Sequence, residues 1–184
     1  MATTSRLKRI VTWSAIAVVV ALFVLKTFFI GYYRIPQNGR YPTLPAGSIF
    51  FTLKRPYRNV SSVKRGDIIV FLHEQNGRQY KYTWRVIGLP GEKIQVSGDS
   101  LTINGRPVGR EHLSETDGKT ISREQIGDVS YQIAFDSSAR DRPPDALVTV
   151  PPEHLFVMGD NRFRAFDSRY FGPISLSSIV GKKL

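Results

Sequence analysis

The chain of 184 residues contains no cysteine, which excludes thiolate metal sites, disulfide bonds and a cysteine nucleophile. It also lacks a Walker loop and the motifs G-x-G-x-x-G, H-E-x-x-H and G-x-S-x-G. The three histidines, His73, His112 and His154, have no ligand-spaced companions, so we predict neither a metal site nor a cofactor. Spacing alone leaves a Ser-His-Asp arrangement open.

Acidic residues are few, because 15 Asp and Glu stand against 26 Lys and Arg and give a net charge of +11. Such an excess suggests nucleic acid or an anionic membrane as the partner. Residues 1–30 hold four of the basic residues and no acid, which leaves 22 basic and 15 acidic residues for the remainder. That remaining excess is scattered along the chain. We therefore expect a membrane, and no nucleic acid, as the partner.

An uncharged run, Ile10–Leu25, is followed by further apolar residues up to about Ile30. About 20 such residues cross the hydrocarbon core as a helix if Lys26 reaches the interface. Tyr32 and Tyr33 would then form an aromatic belt. A buried helix of a soluble protein is the alternative, and we disfavour it because too little protein remains to cover apolar residues on every side.

Arg6, Lys8 and Arg9 precede this run, and the positive-inside rule then places the N-terminus in the cytoplasm and exports the rest. No small-residue cleavage site follows the run, so we predict an uncleaved anchor rather than a removable signal peptide. The predicted organisation is a cytoplasmic N-terminus over 1–9, a transmembrane anchor over 10–33 and an extracytoplasmic domain over 34–184.

Beyond residue 34 the pattern changes to short β-branched and aromatic runs between turn residues, which predicts a mainly antiparallel β domain. Asn76-Gly77 and Asn104-Gly105 favour two-residue hairpin turns. We expect loops over residues 109–130 and 136–146, which are polar, and a short helical turn at Leu176–Val180. The predicted strands are Ser48–Leu53, Asp67–Leu72, Tyr80–Ile87, Ile94–Val96, Leu101–Ile103, Tyr131–Phe135 and Leu155–Met158.

Three blocks of sequence are more specific than any periodicity. The first is IPQNGRYPTL at 35–44, and the second is RGDIIVF at 65–71 followed by RVIGLPGE at 85–92. The third is GDNR at 159–162 followed by DSRYFG at 167–172. Together they resemble the type I signal peptidases of the S26 family over the anchor and nearly the whole domain.

The resemblance implies a β domain behind one transmembrane helix in the bacterial inner membrane, with the domain on the periplasmic side. It also implies a serine endopeptidase that removes signal peptides from exported preproteins through a Ser-Lys dyad. In such a dyad a desolvated lysine loses affinity for its proton and can activate a serine hydroxyl as general base. Hydrogen-bond donors would stabilise the oxyanion.

The first block departs from the family pattern at the catalytic positions. The family reads Ile-Pro-Ser-x-Ser-Met-x-Pro-Thr-Leu, and Pro36, Pro42 and Thr43 fix the register. Gly39 then stands at the family nucleophile position, and Gln37 stands at the serine that the resemblance assigns to the oxyanion hole. The apolar methionine that follows the nucleophile is replaced by an arginine.

The other two blocks depart in the same way. Trp84, directly before Arg85, stands at the general-base lysine, and Ala165 stands at the serine that orients this lysine in the family. The four losses suggest that the dyad chemistry was abandoned, and Trp84 could simply fill the space of a lysine and a substrate residue. The family residues that remain are Pro36, Pro42, Thr43, Arg85, Gly159, Asp160, Asn161, Arg162, Asp167, Ser168 and Arg169.

Three neighbours could replace the lost groups. Lys81 lies three positions before Trp84, an odd offset that puts it on the opposite face of a strand. Thr43 matches the family threonine, and Ser48 begins a predicted strand. None of the three is therefore a favoured substitute.

Two functions remain open. The favoured one is a catalytically inactive signal peptidase homologue that binds the signal peptides of exported preproteins or a partner such as an active signal peptidase paralogue. The alternative is a functioning serine endopeptidase with an unusual centre. We also expect Ile49-Phe50-Phe51 and the aromatics near Tyr41 to contact the membrane surface.

Overall fold

The computed structural model describes residues 2–184, apart from the side chains of residues 2–5, 7 and 8. Met1, where the predicted cytoplasmic segment begins, and the side chain of Lys8 lie outside the described residues. Helix α1 covers Ala2–Phe28. Its segment Arg9–Phe28 has a mean hydropathy of 2.2 and is not buried against the rest of the chain. By length and composition this segment can cross a membrane.

The domain after the helix is antiparallel β structure, which confirms the predicted fold class. It also holds a short helix, α2 (Ser168–Phe171), and 3-10 turns at Asn38–Arg40, Val60–Ser62 and Leu176–Ser178. The strands are β1 (Ile30–Arg34), β2 (Ile49–Lys54), β3 (Ile68–Gln75), β4 (Arg78–Gly88), β5 (Lys93–Ser97), β6 (Ser100–Ile103), β7 (Arg106–Pro107), β8 (Gly109–Thr116), β9 (Lys119–Ile126), β10 (Val129–Asp136), β11 (Ala146–Thr149), β12 (His154–Met158), β13 (Ile174–Ser175) and β14 (Ile179–Lys183).

These strands form three sheets. The largest has seven strands in the order β1-β2-β14-β3-β4-β12-β13. A second sheet has the order β11-β5-β6-β7, and a third has the order β10-β9-β8. The seven-stranded sheet contains β3 and β4, which carry much of the second sequence block. It also contains β1 and β12, which the first and third blocks follow.

Only Phe29 separates the end of helix α1 from the start of β1. Lys54, the last residue of β2, closes the helix end: its amide donates to Phe29 O at 2.8 Å and its Nζ donates to Thr27 O at 2.7 Å. A lysine at this end satisfies free carbonyls and interacts favourably with the helix dipole. The helix ends at Phe28, so residues 30–33 of the predicted anchor belong to β1. The depth of these residues in a membrane stays a prediction.

Both predicted Asn-Gly hairpins are confirmed. Asn76 and Gly77 join β3 to β4 with φ angles of 53° and 72°, and Asn104 and Gly105 join β6 to β7 with 52° and 75°. The predicted helical turn at Leu176–Val180 begins as a 3-10 turn and then becomes β14. The segment between β10 and β11 is a loop, as predicted.

The prediction of a loop over 109–130 is wrong. This segment forms β8 and β9 and the start of β10, with Asp117-Gly118 as a further hairpin turn. The prediction failed because these strands are rich in charged and polar residues, a composition that is typical of loops. One of them, Glu124, is fully buried and is bound by Arg162 from the distant GDNR block, a contact that local polarity cannot reveal.

Candidate active site

Three parts of the chain meet around residue 39. The 3-10 turn Asn38–Arg40 follows β1, residue 84 lies in β4, and the GDNR block follows β12. The amide of Asn161 donates to Gly39 O at 3.1 Å, which fixes the turn against the GDNR block. The structure thus brings together positions that lie up to about 120 residues apart in the sequence.

Gly39 and Trp84 are in direct contact. An ideal Cβ on Gly39 would lie 2.6 Å from Cη2 and 2.9 Å from Cζ3 of the indole, closer than real Cβ atoms approach. Trp84 is 7% exposed, and its Nε1 donates to Phe166 O at 3.0 Å. The backbone of Gly39 does not lie at positive φ. Glycine is therefore required here by the space that the indole takes, not by backbone conformation.

Ala165 and Gly159 complete this contact. A Cβ on Gly159 would collide with the Cβ of Ala165 and would lie 3.0 Å from Cζ3 of Trp84. Gly39, Trp84 and Ala165, which the sequence resemblance predicts at the nucleophile, base and lysine-orienting positions, thus meet in one packed cluster. Gln37, at the predicted oxyanion position, is exposed and borders the groove described below.

The retained residues form the support behind this contact. Arg85 binds Asp160 with two bonds, Nε to Oδ1 at 2.9 Å and Nη2 to Oδ2 at 2.8 Å. The same Arg85 Nη2 donates to Thr43 Oγ1 at 3.3 Å. Pro42, joined to Tyr41 by a cis peptide bond, precedes Thr43.

Arg40 has a role that sequence reasoning missed. Its side chain is buried, and its Nη1 donates to Asp160 Oδ1 at 3.0 Å, while Nε and Nη2 have no hydrogen-bond partner among the described residues. Two buried guanidinium groups, those of Arg40 and Arg85, therefore share one carboxylate. No sequence signal relates Arg40 to a residue 120 positions away.

The charged groups of this cluster change one another's pKa values. Burial lowers the pKa of Arg40 to about 10, against the opposing effect of the Asp160 carboxylate. Burial also acts to raise the pKa of Asp160, but Arg40 and Arg85 outweigh it and hold that pKa below its usual value. Asp160 is therefore ionised, and the buried cluster retains an excess of positive charge.

The end of the third block is held by Asp167. One of its carboxylate oxygens accepts from the amide of Gly159 at 2.9 Å, and the carboxylate also binds the Arg169 guanidinium at 2.7 and 2.8 Å. Ser168 Oγ accepts from the amide of Val157 at 3.0 Å. Asp167 and Ser168 thus fix α2 on β12 and place Ala165 against the indole.

The three neighbours considered as substitutes lie in different surroundings. Lys81 Nζ lies 5.6 Å from the ring centroid of Tyr33 and Trp84 packs on Gly39, although both residues line the same groove. The Thr43 hydroxyl bonds Arg85 and lies 3.5 Å from Gln132 O. Ser48 is half-buried just before β2.

A groove of about 430 Å³ runs beside the contact of Gly39 with Trp84. It is lined by residues of the segments 35–40, 80–84 and 164–166, together with Gln75. Pro36 and Gln37 belong to this lining. Lys81, Arg40 and Arg164 are its charged residues, and no Asp or Glu is found among the described residues that line it.

The edge of β4 along this groove is unpaired. β4 pairs with β3 over residues 78–85, but its pairing with β12 involves only Arg85, Val86 and Gly88. Residues 78–84 therefore have a neighbouring strand on one side only among the described strands. Such an edge can accept an extended peptide by backbone hydrogen bonding.

Among the described residues, no group of three or more His, Asp or Glu side chains lies close enough to hold a metal ion. His73 stacks on Phe171 with ring centroids 4.2 Å apart. His112 contacts Glu115 on an exposed strand, and His154 contacts Pro152 O. The three histidines thus occupy separate places.

An antiparallel β domain behind an apolar helix, with the GDNR and DSRYFG blocks supporting a cleft, defines a membrane-anchored protein of the signal peptidase type. The family model described as signal peptidase, peptidase S26, matches residues 7–184. This chain therefore belongs to the signal peptidase family, peptidase S26.

Two relatives from Bacillus agree with this assignment. The chain is 32% identical to a signal peptidase I of Bacillus caldolyticus over 170 residues, which covers 92% of this chain and 86% of that protein. It is 36% identical to a signal peptidase I of Bacillus licheniformis over 167 residues, 90% of this chain and 80% of that one. A solved signal peptidase I from Enterococcus faecalis V583 shares 33% identity, covers 66% of this chain and 96% of the other, and has a TM-score of 0.41.

Proposed function

We propose that this chain is a membrane-anchored signal peptidase homologue that has lost the dyad chemistry and binds peptides in the old cleft. The observation that carries the proposal is the contact of Gly39 with Trp84. Neither residue offers a hydroxyl or an amine, and the indole occupies the space that a side chain on residue 39 would need.

The residues around the contact support the loss of chemistry. Ala165 brings a methyl group where the family has a hydroxyl, and Gln37 replaces the second serine. A general base must come within hydrogen-bond reach of the nucleophile it activates. Lys81 contacts the Tyr33 ring, and the Thr43 hydroxyl is already bound by Arg85, so neither is arranged as a replacement dyad.

Peptide binding is supported by the groove and by the unpaired edge of β4. An extended peptide could form backbone hydrogen bonds with residues 78–84, and its side chains could contact Tyr80 and Tyr82. Signal peptides of exported preproteins are the substrates that family membership suggests. An active signal peptidase paralogue could supply or receive the same peptides.

Location follows from the helix and its flanking charges. Arg6, Lys8 and Arg9 precede the apolar segment, so the proposed topology is a single pass of the bacterial inner membrane with a cytoplasmic N-terminus. The β domain would then be periplasmic or extracytoplasmic. Protease added outside intact spheroplasts should digest this domain, and full protection would exclude the topology.

The decisive test is incubation of the full-length protein in detergent with a preprotein. We expect no mature product, and we expect a labelled signal peptide, measured separately, to bind saturably. Appearance of mature product would refute the inactive assignment, and Lys81→Ala, Ser48→Ala and Thr43→Ala would then show whether a substitute group performs the reaction. Product formation that persists in all three variants would exclude these substitutes as well.

A further inference from the structure

We infer that the groove selects extended peptides that end in a free α-carboxylate, with that carboxylate bound at the Trp84 end. The inference rests on the proposed function, because it specifies which peptide the groove takes. A free carboxyl end is what endopeptidase cleavage generates, so the reaction that supplies the ligand would be hydrolysis of a peptide bond by another enzyme.

The first argument is the obstruction by Trp84. The indole packs on Gly39, is 7% exposed and is fixed by its hydrogen bond to Phe166 O at 3.0 Å. In addition, β12 becomes the neighbour of β4 from Arg85 onward. A peptide lying along residues 78–84 of β4 thus meets the Trp84 side chain and strand β12 at the same point. A chain that ends there fits, whereas one that continues must displace the indole.

The second argument is charge. Lys81, Arg40 and Arg164 line the groove, and no carboxylate lies among its described lining residues. Arg164 is bound to Asp136 at 2.9 Å, but Lys81 forms no ion pair among the described residues. Electrostatic complementarity therefore favours an anionic group on the ligand.

The third argument is the unbalanced charge of Arg40. It shares the single Asp160 carboxylate with Arg85, and its Nε and Nη2 are buried without acceptors. A buried cation of this kind is costly unless an anion or acceptor compensates it. Arg40 and Gly39 both line the groove, so a carboxylate bound beside them would supply such compensation.

The test uses the full-length protein in detergent and one labelled peptide, Leu-Val-Ala-Leu-Ala, as the free acid and as the C-terminal amide. Fluorescence anisotropy should show that the free acid binds at least about tenfold more tightly, as expected for a charge-assisted contact. The preference should decrease as salt is raised. Equal binding of the two peptides would overturn this inference but keep the peptide-binding function, whereas binding of neither would overturn both.

Two variants locate the anionic contact. Lys81→Gln changes an exposed residue, and Arg40→Met introduces the family residue while Asp160 keeps its two bonds to Arg85. Each should reduce the preference for the free acid over the amide several-fold. Arg78→Gln, on the same strand but outside the groove, is the matched control and should leave the preference unchanged. A full preference in both Lys81→Gln and Arg40→Met would overturn the assignment.

Discussion

The indole of Trp84 occupies the volume in which any side chain on residue 39 would begin, with Cη2 only 2.6 Å from the position of a Cβ. The two residues thus depend on each other. A serine at position 39 needs a smaller residue at 84, and the tryptophan at 84 needs a glycine at 39. The residues at positions 39 and 84 are therefore energetically coupled, and this coupling can be measured.

Gly39→Ala should destabilise the protein by about 1–3 kcal/mol, because the added methyl group overpacks a well-filled site. In a Trp84→Leu background the same change should cost much less, and the difference is the coupling energy of a double-mutant cycle. Thermal unfolding in detergent measures it. Gly109→Ala is the control, because a Cβ there meets nothing within 4 Å and its φ is not positive. Additive effects of the two changes would contradict the contact.

If the dyad chemistry is lost as proposed, cleavage should occur only when several groups are introduced together. Gly39→Ser alone should give no cleavage, because the serine has no base and faces the indole. Trp84→Lys alone should also fail, and it should cost about 3 kcal/mol or more by exchanging a buried aromatic for an amine.

The smallest set that could recover cleavage combines these two changes with Ala165→Ser and Gln37→Ser. Because catalytic groups act as a unit, the combined effect should exceed the product of the single effects. Appearance of mature preprotein on a gel is the measurement. Substantial cleavage by either single variant would show that the missing groups are supplied elsewhere in the chain.

Asp160 should control stability at acid pH. Its pKa is lowered in the folded state, so its ionised form contributes stability above the ordinary aspartate pKa, and this contribution is lost as the pH falls through the folded value. We expect Asp160→Asn to cost about 3–5 kcal/mol at neutral pH, since two buried guanidinium groups lose their carboxylate. The variant should also lose less additional stability than the parent below about pH 4.

An exposed carboxylate provides the comparison for Asp160. Asp99, whose side chain is 65% exposed, contacts Arg110 at 3.5 Å, and Asp99→Asn should cost less than about 1 kcal/mol. Chemical denaturation as a function of pH measures both variants. Equal losses for the two would show that the buried cluster does not depend on Asp160.

The β1–β2 hairpin should contact lipid. Tyr32 and Phe51 are paired across it and are 69% and 61% exposed, and Ile49 is 64% exposed, whereas Phe50 is buried in the core. Because the chain has no cysteine, Phe51→Cys can be labelled singly with an environment-sensitive dye. Brominated lipids should quench it in vesicles, and a dye at Leu147→Cys, on β11 of another sheet, should be quenched far less. Equal quenching at both positions would contradict the contact.

Structural features that depend on residues close together in the sequence could be predicted, whereas those that depend on residues far apart could not. Alternation and Asn-Gly turns are local, and they predicted β3 and β4 with the hairpin at Asn76-Gly77. The burial of Glu124 and Arg40 could not be predicted, because charged residues are usually expected at the surface. Their partners, Arg162 and Asp160, lie far away in the sequence. The family register named positions 39 and 84 as partners, but only the fold reveals that they touch.

The junction at Phe29 has a consequence for how ligands reach the protein. Lys54 bonds both Thr27 and Phe29, so the helix and the sheet are connected without a flexible linker. A chain inserted in a bilayer would keep its groove close to the lipid surface. Encounter with a membrane-embedded peptide would then be a lateral search in two dimensions, and the local concentration of partners would be set by membrane area rather than by volume.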